Sequence, residues 1–213
     1  MDGKREFVRA STAFSTFQSA TMNLGCIGTK RRLRGWPVLG LVAVVTTVAG
    51  GVALWWLADH RRGLRWARAV VHDRFPDVPQ VSPGELAAWL QDAERVPPMI
   101  WDVRSTEEHQ VSHLRDAVHV PPETPDAELR GRVEEGGGRP ILCYCAAGYR
   151  GAEMARRLRA LKVGEVYNLA GGIFHWANES HEVVRGGERV TGVHAYHTLF
   201  SRLLRPERRV ARD

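Results

Sequence analysis

Cysteine is scarce in this chain. Only 3 of its 213 residues are cysteine, and such an odd, low count excludes a small domain built on a disulfide framework. The 9 histidines do not supply a metal site either, because no Cys, Asp or Glu completes a ligand set around the two pairs at helical spacing. These pairs are His109 with His113 and His194 with His197. We therefore interpret the histidines as solvated or core residues and expect no metal ion.

The features of nucleic-acid-binding proteins are also missing. The formal net charge is +6, but many of the arginines lie near the two ends of the chain. No basic stripe interleaved with aromatic residues lies inside the central part, and no nucleic-acid motif or internal repeat is present. We therefore expect no nucleic-acid partner. A chain of this length has room for one domain of about 100–150 residues with extensions.

Charged residues are absent from residues 35–58. A stretch of ~20 apolar residues can cross the hydrocarbon core of a bilayer, and Trp36, Trp55 and Trp56 fit the aromatic belts at its two interfaces. A cleaved signal peptide is the alternative, but its apolar region is typically ~7–15 residues long and no small-x-small cleavage site follows here. The sequence therefore predicts a single transmembrane helix over 35–58, preceded by a disordered tail over 1–34.

A basic segment over 59–75 follows the predicted span. Leu64, Ala67, Val70 and Val71 share one face of a helix in this segment. The arginines on the rest of its surface would either meet anionic lipid headgroups or be solvated in a plain linker helix, and both interpretations stay open. At the other end of the chain, residues 181–213 are interpreted as a basic C-terminal tail in which 193–204 is weakly helical.

Between these extensions, strand and helix signals alternate. Ser82, Pro83 and Glu85 form a capping box with proline at the first helical position. The predicted strands are 99–103, 118–120, 141–144 and 165–169, and the predicted helices are 83–90, 126–134, 151–161 and 173–178. Continuous apolar strands separated by helices indicate a parallel sheet covered on both faces. The fold class is therefore three-layer α/β.

Cys145 stands where the central predicted strand ends and a loop leads into a helix, which is where α/β sheets place their ligand sites. Small residues leave its sulfur open to a second molecule, and Gly148 can adopt a positive φ that turns backbone N–H groups inward. The start of the helix adds partial positive charge, which stabilises a thiolate. The candidate binding loop is Ala146, Ala147, Gly148, Tyr149 and Arg150. The alternative is an inert core cysteine.

The spacing Cys145-x-x-Gly148-x-Arg150 resembles the active-site loop of the rhodanese-like sulfurtransferase family. Three further segments resemble that family's motifs in the right order, so that the resemblance covers about 76–180. These segments are Ile100–Arg104, Glu107–Ala117 and Tyr167–Trp176. Four positions depart from the usual pattern. Ser112 and Asp116 stand where glycines are common, His109 replaces an aromatic residue, and Gly151 stands where a serine often follows the arginine.

The resemblance implies a three-layer rhodanese-like fold and a two-step sulfur transfer. The Cys145 thiolate would take a sulfane sulfur from a small donor such as thiosulfate and pass it, as a persulfide, to a thiol or cyanide acceptor. The loop N–H groups and Arg150 would stabilise the anionic sulfur. Asp102 would support the loop from behind, and Arg104 would help to orient the donor. No cofactor is implied, and the resemblance names no protein partner.

Three other interpretations stay open. A phosphatase or arsenate reductase on the same fold has one more loop residue, Cys-x5-Arg, whereas four residues separate Cys145 from Arg150. A rhodanese fold can also serve as a non-catalytic binding or regulatory module. Finally, Cys143 lies on the same face of its strand as Cys145, and is either a core residue or a resolving thiol.

The orientation of the domain in the membrane depends on weaker signals. Basic residues flank the predicted span about equally on both sides, so the positive-inside rule does not decide between the two orientations. The basic face continues to Arg74, which favours the anionic cytoplasmic leaflet, and a catalytic thiolate is best kept in a reducing compartment. We therefore predict a single-pass membrane protein with residues 59–213 in the cytoplasm.

Overall fold

The computed structural model describes Gly40, Val42, residues 44–51, 60–195, His197 and residues 200–210. The chain divides into two compact units, Met1–Val44 and Val45–Asp213, and all that follows concerns the second. Within these described ranges, no helix combines the length and the apolar character that a membrane crossing requires. The predicted tail over 1–34 and more than half of the predicted span over 35–58 lie outside the described residues, so both stay predictions.

Five parallel strands form the central sheet, in the order β1-β5-β4-β2-β3. Their bounds are β1 Gln80–Val81, β2 Met99–Asp102, β3 Val118–His119, β4 Ile141–Tyr144 and β5 Val166–Leu169. The middle strand, β4, is buried at all four positions, as a continuous apolar run predicts. The parallel sheet is therefore confirmed, and the strand that precedes Cys145 lies at its centre. The sequence did not predict the edge strand β1.

Six α-helices of the described part of the chain lie around this sheet, and they confirm the predicted layers. They are α1 His60–Arg74, α2 Pro83–Gln91, α3 Thr106–Val111, α4 Asp126–Glu135, α5 Tyr149–Ala160 and α6 Gly172–Asn178. Leu142 and Tyr144 of β4 pack with α2 and α6 on one face, while Ile141 and Cys143 pack with α4 and α5 on the other. The predicted capping box forms, since the Glu85 N–H donates to Ser82 Oγ at 3.3 Å. Helix α3 was not predicted.

Helix α1 contributes to both hydrophobic cores. Leu64 lies in the core beside α2 and α6, and Val71 lies in the core beside α4 and α5. Phe75, directly after the helix, is fully buried and its ring meets that of Tyr149 at a centroid distance of 5.1 Å. The segment that the sequence presents as a linker is therefore packed against the domain over its described residues.

The C-terminal segment also lies against the domain. A hairpin, β6 Val183–Arg185 and β7 Glu188–Val190, is followed by short 3₁₀ turns at Phe200–Leu203 and Pro206–Arg208. Val193 instead forms a bridge with Arg209, so the described part of 193–204 does not form the predicted α-helix. Asn178 of α6 holds this segment, donating to Leu203 O at 2.8 Å and accepting from the Arg205 N–H at 2.9 Å.

Candidate active site

Cys145 lies directly after β4 and opens onto a small cavity. Only 2% of its surface is exposed, yet it is one of the residues that line a cavity of about 260 Å³. The other lining residues are Ala146, Ala147, Tyr149, Arg150 and Phe200. The sulfur accepts a hydrogen bond from the Gly148 N–H at 3.2 Å. A nucleophile at the end of a buried strand therefore meets a partly open cavity that is large enough for a small molecule.

The loop after Cys145 is shaped by Gly148. Its φ of 105° lies in the left-handed region, as the sequence predicts, and it forms the N-cap of α5. A Cβ at this position would lie 3.2 Å from the Gly171 nitrogen, so the close approach of the two loops also requires glycine. Because the chain turns inward here, the Gly148 N–H reaches the sulfur of Cys145.

Helix α6 holds the other side of the same loop. The Ile173 N–H donates to Cys145 O at 2.9 Å, and the Phe174 N–H donates to Ala146 O at 3.0 Å. Gly172 permits this approach, because it has a φ of 59° and a Cβ there would collide with the Cys145 oxygen. Peptide groups are planar and trans, so the N–H groups of Ala146 and Ala147 point away from α6. This arrangement supports the predicted nest of N–H groups.

Arg150 reaches the cavity, but its charge is paired. Both oxygens of Glu108 accept from its guanidinium, at 3.0–3.1 Å. Glu108 is buried and also accepts from the Ser105 N–H at 3.2 Å, which caps α3, while Arg150 keeps 28% of its side-chain surface exposed. Sequence reasoning missed Glu108 as a site residue. The spacing Ser105-x-x-Glu108 is a second capping box and would have predicted the start of α3, but it does not predict the contact with Arg150.

Asp102 and Arg104 form a buried ion pair behind the loop. Arg104 Nε and Nη2 donate to Asp102 Oδ1 and Oδ2 at 2.8 and 2.6 Å, and neither side chain has any exposed surface. Nη2 also donates to Ser112 O at 2.6 Å. Arg104 therefore lies away from the cavity, and this placement does not support the predicted contact with a donor.

Asp102 does support the strand that carries the nucleophile. Its Oδ2 accepts from the Tyr144 hydroxyl at 2.8 Å, and Tyr144 directly precedes Cys145. Burial acts to raise the pKa of the Asp102 carboxyl, but the charge of Arg104 and the hydrogen bond from His109 outweigh it. The pKa of this carboxyl is therefore held well below its usual range, and Asp102 is charged in the folded protein.

The histidines near Asp102 form a stack of rings. His109 Nδ1 lies 3.0 Å from Asp102 Oδ2, and its ring stacks between those of His113 and His119 at 4.1 and 4.9 Å. In the described part of the chain, no three His, Cys, Asp or Glu side chains come together as a metal-binding group. His109 thus fills the place of the family's aromatic residue with a ring that also hydrogen-bonds.

The second cysteine of the strand is enclosed in the core. Cys143 has no exposed surface and packs in the same core cluster as Trp101 and Leu158. Burial raises the pKa of its thiol well above the usual value, so this sulfur stays protonated. Cys143 and Cys145 are both free thiols. These observations favour the core interpretation of Cys143.

Gly151 has a steric explanation. A Cβ there would collide with Asn168 Oδ1 and would lie 3.1 Å from Tyr144 Cα, because α5 packs closely on β4 at this point. Asn168 is fully buried, and its side-chain N–H donates to Gln80 Oε1 at 2.7 Å. A serine at position 151 would therefore require a shift of this buried amide.

The fold and the site define a parallel α/β domain with a loop-borne cysteine nucleophile. Residues 82–179 match the family model described as Rhodanese-like domain. These residues therefore form a rhodanese-like domain, which confirms the resemblance for this part of the chain.

Curated relatives are similar in sequence to part of this chain. The chain is 30% identical over 138 residues to a protein of Cupriavidus necator named tRNA uridine(34) hydroxylase, a match that covers 60% of this chain and 47% of that protein. It is 30% identical over 101 residues to a protein of the same name from Cronobacter sakazakii, covering 46% of this chain and 28% of the relative. The chain thus spans less than half the length of these two relatives.

Solved structures are similar to almost half of the chain. The Bacillus anthracis CoADR-RHD structure is 27% identical, with a TM-score of 0.38, and the match covers 49% of this chain and 17% of that one. The structure of SSP1007 from Staphylococcus saprophyticus is 21% identical, with a TM-score of 0.41, and the match covers 46% of this chain and 93% of that one.

Proposed function

We propose that this domain is a sulfurtransferase in which Cys145 carries the sulfur. The observation that supports this most strongly is the position of the Cys145 sulfur, which receives the Gly148 N–H and opens onto a cavity of about 260 Å³. The thiolate is the nucleophilic form of a cysteine, and the Gly148 N–H is placed to donate to it. Four residues separate Cys145 from Arg150, which suits a sulfur-sized site better than a loop that wraps a tetrahedral oxyanion.

The reaction has two balanced steps. The Cys145 thiolate attacks the outer sulfur of thiosulfate, a bond forms between the two sulfurs, and sulfite leaves with the electron pair of the broken S–S bond. The persulfide anion that results lies beside the Gly148 N–H. An acceptor thiolate or cyanide then attacks the outer sulfur, and the Cys145 thiolate leaves. No net proton or electron is exchanged with the protein, so this reaction requires no cofactor.

The first prediction is that Cys145→Ala abolishes sulfur transfer. The protein with thiosulfate and cyanide is expected to produce thiocyanate, and a brief reaction without acceptor should add about 32 Da to the peptide that contains Cys145. Cys145→Ser is the matched control for folding, since it changes only the nucleophilic atom. Full activity in either variant would contradict the proposal.

A second candidate function follows from the curated relatives that are named tRNA uridine(34) hydroxylase. The observation that favours it is a cleft of about 600 Å³ with several arginines in its wall, among them Arg62, Arg65 and Arg205. Basic clefts attract polyanions. Incubation with tRNA, followed by nucleoside mass spectrometry, separates the two: an oxygen-bearing uridine without any Cys145 persulfide would favour the second. Inactivity in both assays would favour a non-catalytic module.

We propose further that the charge-free segment 35–58 anchors the domain to a membrane, with residues 59–213 in the cytoplasm. The interfacial tryptophans and the basic flanks support this proposal. The second prediction is that a membrane-impermeant maleimide labels Cys26 in intact cells, whereas Cys145 is labelled only after lysis. Labelling of Cys145 before lysis would place the domain outside and contradict the orientation.

A further inference from the structure

The cavity at Cys145 has walls that are mostly apolar. Ala146 and Ala147 form one part, and the rings of Tyr149 and Phe200 form another. Tyr149 and Phe200 are 44% and 43% exposed as whole residues, which is unusual for aromatic residues that serve only the core. A cavity of roughly 150 Å³ can hold a benzene ring, so the 260 Å³ found here has room for a ring and a reacting sulfur group.

The cavity offers little net positive charge to an anion. Arg150 is the one charged residue among its described lining residues, and its guanidinium is bound to both oxygens of Glu108. Because the two charges lie about 3 Å apart, their fields largely cancel at a distance of several ångströms. A dianion such as thiosulfate therefore gains less here than it would beside an unpaired guanidinium.

The C-terminal segment holds Phe200 at the cavity. Asn178 binds Leu203 O and the Arg205 N–H, and Leu204 is fully buried. Leu203 packs so closely on α1 that a Cβ on Gly63 would touch its side chain. These anchors follow Phe200 by three to five residues, so its ring is a positioned part of the wall and not a loose tail.

We infer that this site takes organic sulfane-sulfur donors in which the reacting sulfur group carries an apolar, preferably aromatic, substituent. Phe200 sets this preference. The inference rests on the proposed sulfurtransferase function and names its donor class. An aryl thiosulfonate, the simplest such donor, carries one negative charge. The Cys145 thiolate attacks its outer sulfur, the bond to the sulfonyl sulfur breaks, and the aryl sulfinate leaves with the electron pair. Its aryl group would rest against Phe200 and Tyr149.

Three donors separate apolar contact from charge. Benzenethiosulfonate and methanethiosulfonate share a reacting group and a charge, and differ in the group that meets the wall. Methanethiosulfonate and thiosulfate differ chiefly in charge. The kcat/KM of the full chain is measured for each donor with cyanide as acceptor. Comparing ratios between variants cancels the intrinsic reactivity of each donor.

The third prediction is that Phe200→Ala lowers the phenyl-to-methyl ratio of kcat/KM about tenfold, because the aryl group loses the ring that covers it. Phe200→Leu should restore part of the ratio. Val210→Ala is the matched control, since Val210 is an exposed apolar residue of the same segment that lines another cleft. Thermal unfolding of each variant establishes that the fold is retained.

Glu108→Gln tests the charge argument. Glutamine can still cap α3, but it removes the negative charge of Glu108 from beside the Arg150 guanidinium. The ratio of thiosulfate to methanethiosulfonate should therefore rise several-fold. A phenyl-to-methyl ratio that is unchanged in Phe200→Ala would overturn the inference while leaving the proposed function intact. Failure of all three donors to form a Cys145 persulfide would overturn both.

Discussion

Two arginine–carboxylate pairs lie at neighbouring strand and helix ends, one behind Cys145 and one in front of it. The pair behind, Asp102 with Arg104, has no exposed side-chain surface, whereas in the pair in front, Glu108 with Arg150, the arginine is partly exposed and lines the cavity. The same kind of ion pair thus has two different roles in this protein. The buried pair fixes the ends of β2 and β4, and the pair in front faces whatever enters the cavity. Burial, more than residue type, decides which arginine can meet a substrate.

The fourth prediction concerns the substitution with the largest expected effect on stability, which breaks the ion pair behind Cys145. Asp102→Asn leaves the Arg104 charge buried without its partner and weakens the hydrogen bond from the Tyr144 hydroxyl. We expect the free energy of unfolding to fall by about 3–5 kcal/mol. Glu128→Gln is the control, because it breaks an exposed pair with Arg132 and should cost no more than about 0.5 kcal/mol. A loss below about 1 kcal/mol in Asp102→Asn would contradict the structural role.

The dependence of this effect on pH is a second control. Because the pKa of Asp102 is lower in the folded than in the unfolded protein, its ionised form stabilises the fold above the unfolded pKa of about 3.9. This stabilisation is lost as the pH falls through the folded pKa, since the unfolded state binds the proton first. Asparagine does not titrate. The stability difference between wild type and Asp102→Asn should therefore be constant above about pH 5 and shrink below about pH 4.

The same contrast explains what the sequence could predict. Cys145, Gly148 and the strand before them follow one another in the chain, so their local pattern predicts a strand, a left-handed turn and a helix. Glu108 lies 42 residues from its partner Arg150, and local patterns carry no information about which elements meet. The burial of Arg104 could not be predicted for the same reason, because it depends on Ser112 and on the packing of α3.

The C-terminal segment shows the limit more clearly. Phe200 lies at the cavity because the residues that follow it are fixed by contacts distant in the chain. Asn178 donates a hydrogen bond to Leu203 O, and the Leu203 side chain packs against Gly63. The arginine-rich composition of this segment led us to predict a tail. A 3₁₀ turn of four residues is too short to leave a periodic pattern that would have predicted a packed structure. The hairpin of β6 and β7 was missed because each strand has three residues, which is too short for an alternating pattern to stand out.

The fifth prediction compares Cys143 in β4 with Cys145 directly after it, and its expected effect on stability is smaller. Cys143→Ser places a hydroxyl in the core beside Trp101, where no polar partner of the Cys143 side chain is seen among the described residues. The free energy of unfolding should fall by about 1–3 kcal/mol. Turnover per folded molecule should be nearly unchanged, because the thiol of Cys143 is protonated and enclosed.

If Cys143 instead resolves an oxidised Cys145, the variant exposed to peroxide would accumulate over-oxidised Cys145, and peptide mass spectrometry would show sulfinic acid where wild type shows a disulfide. The burial of Cys143 and the cavity at Cys145 lead us to expect the first outcome: two thiols on one face of one strand, of which only the one at the strand's end is chemically active.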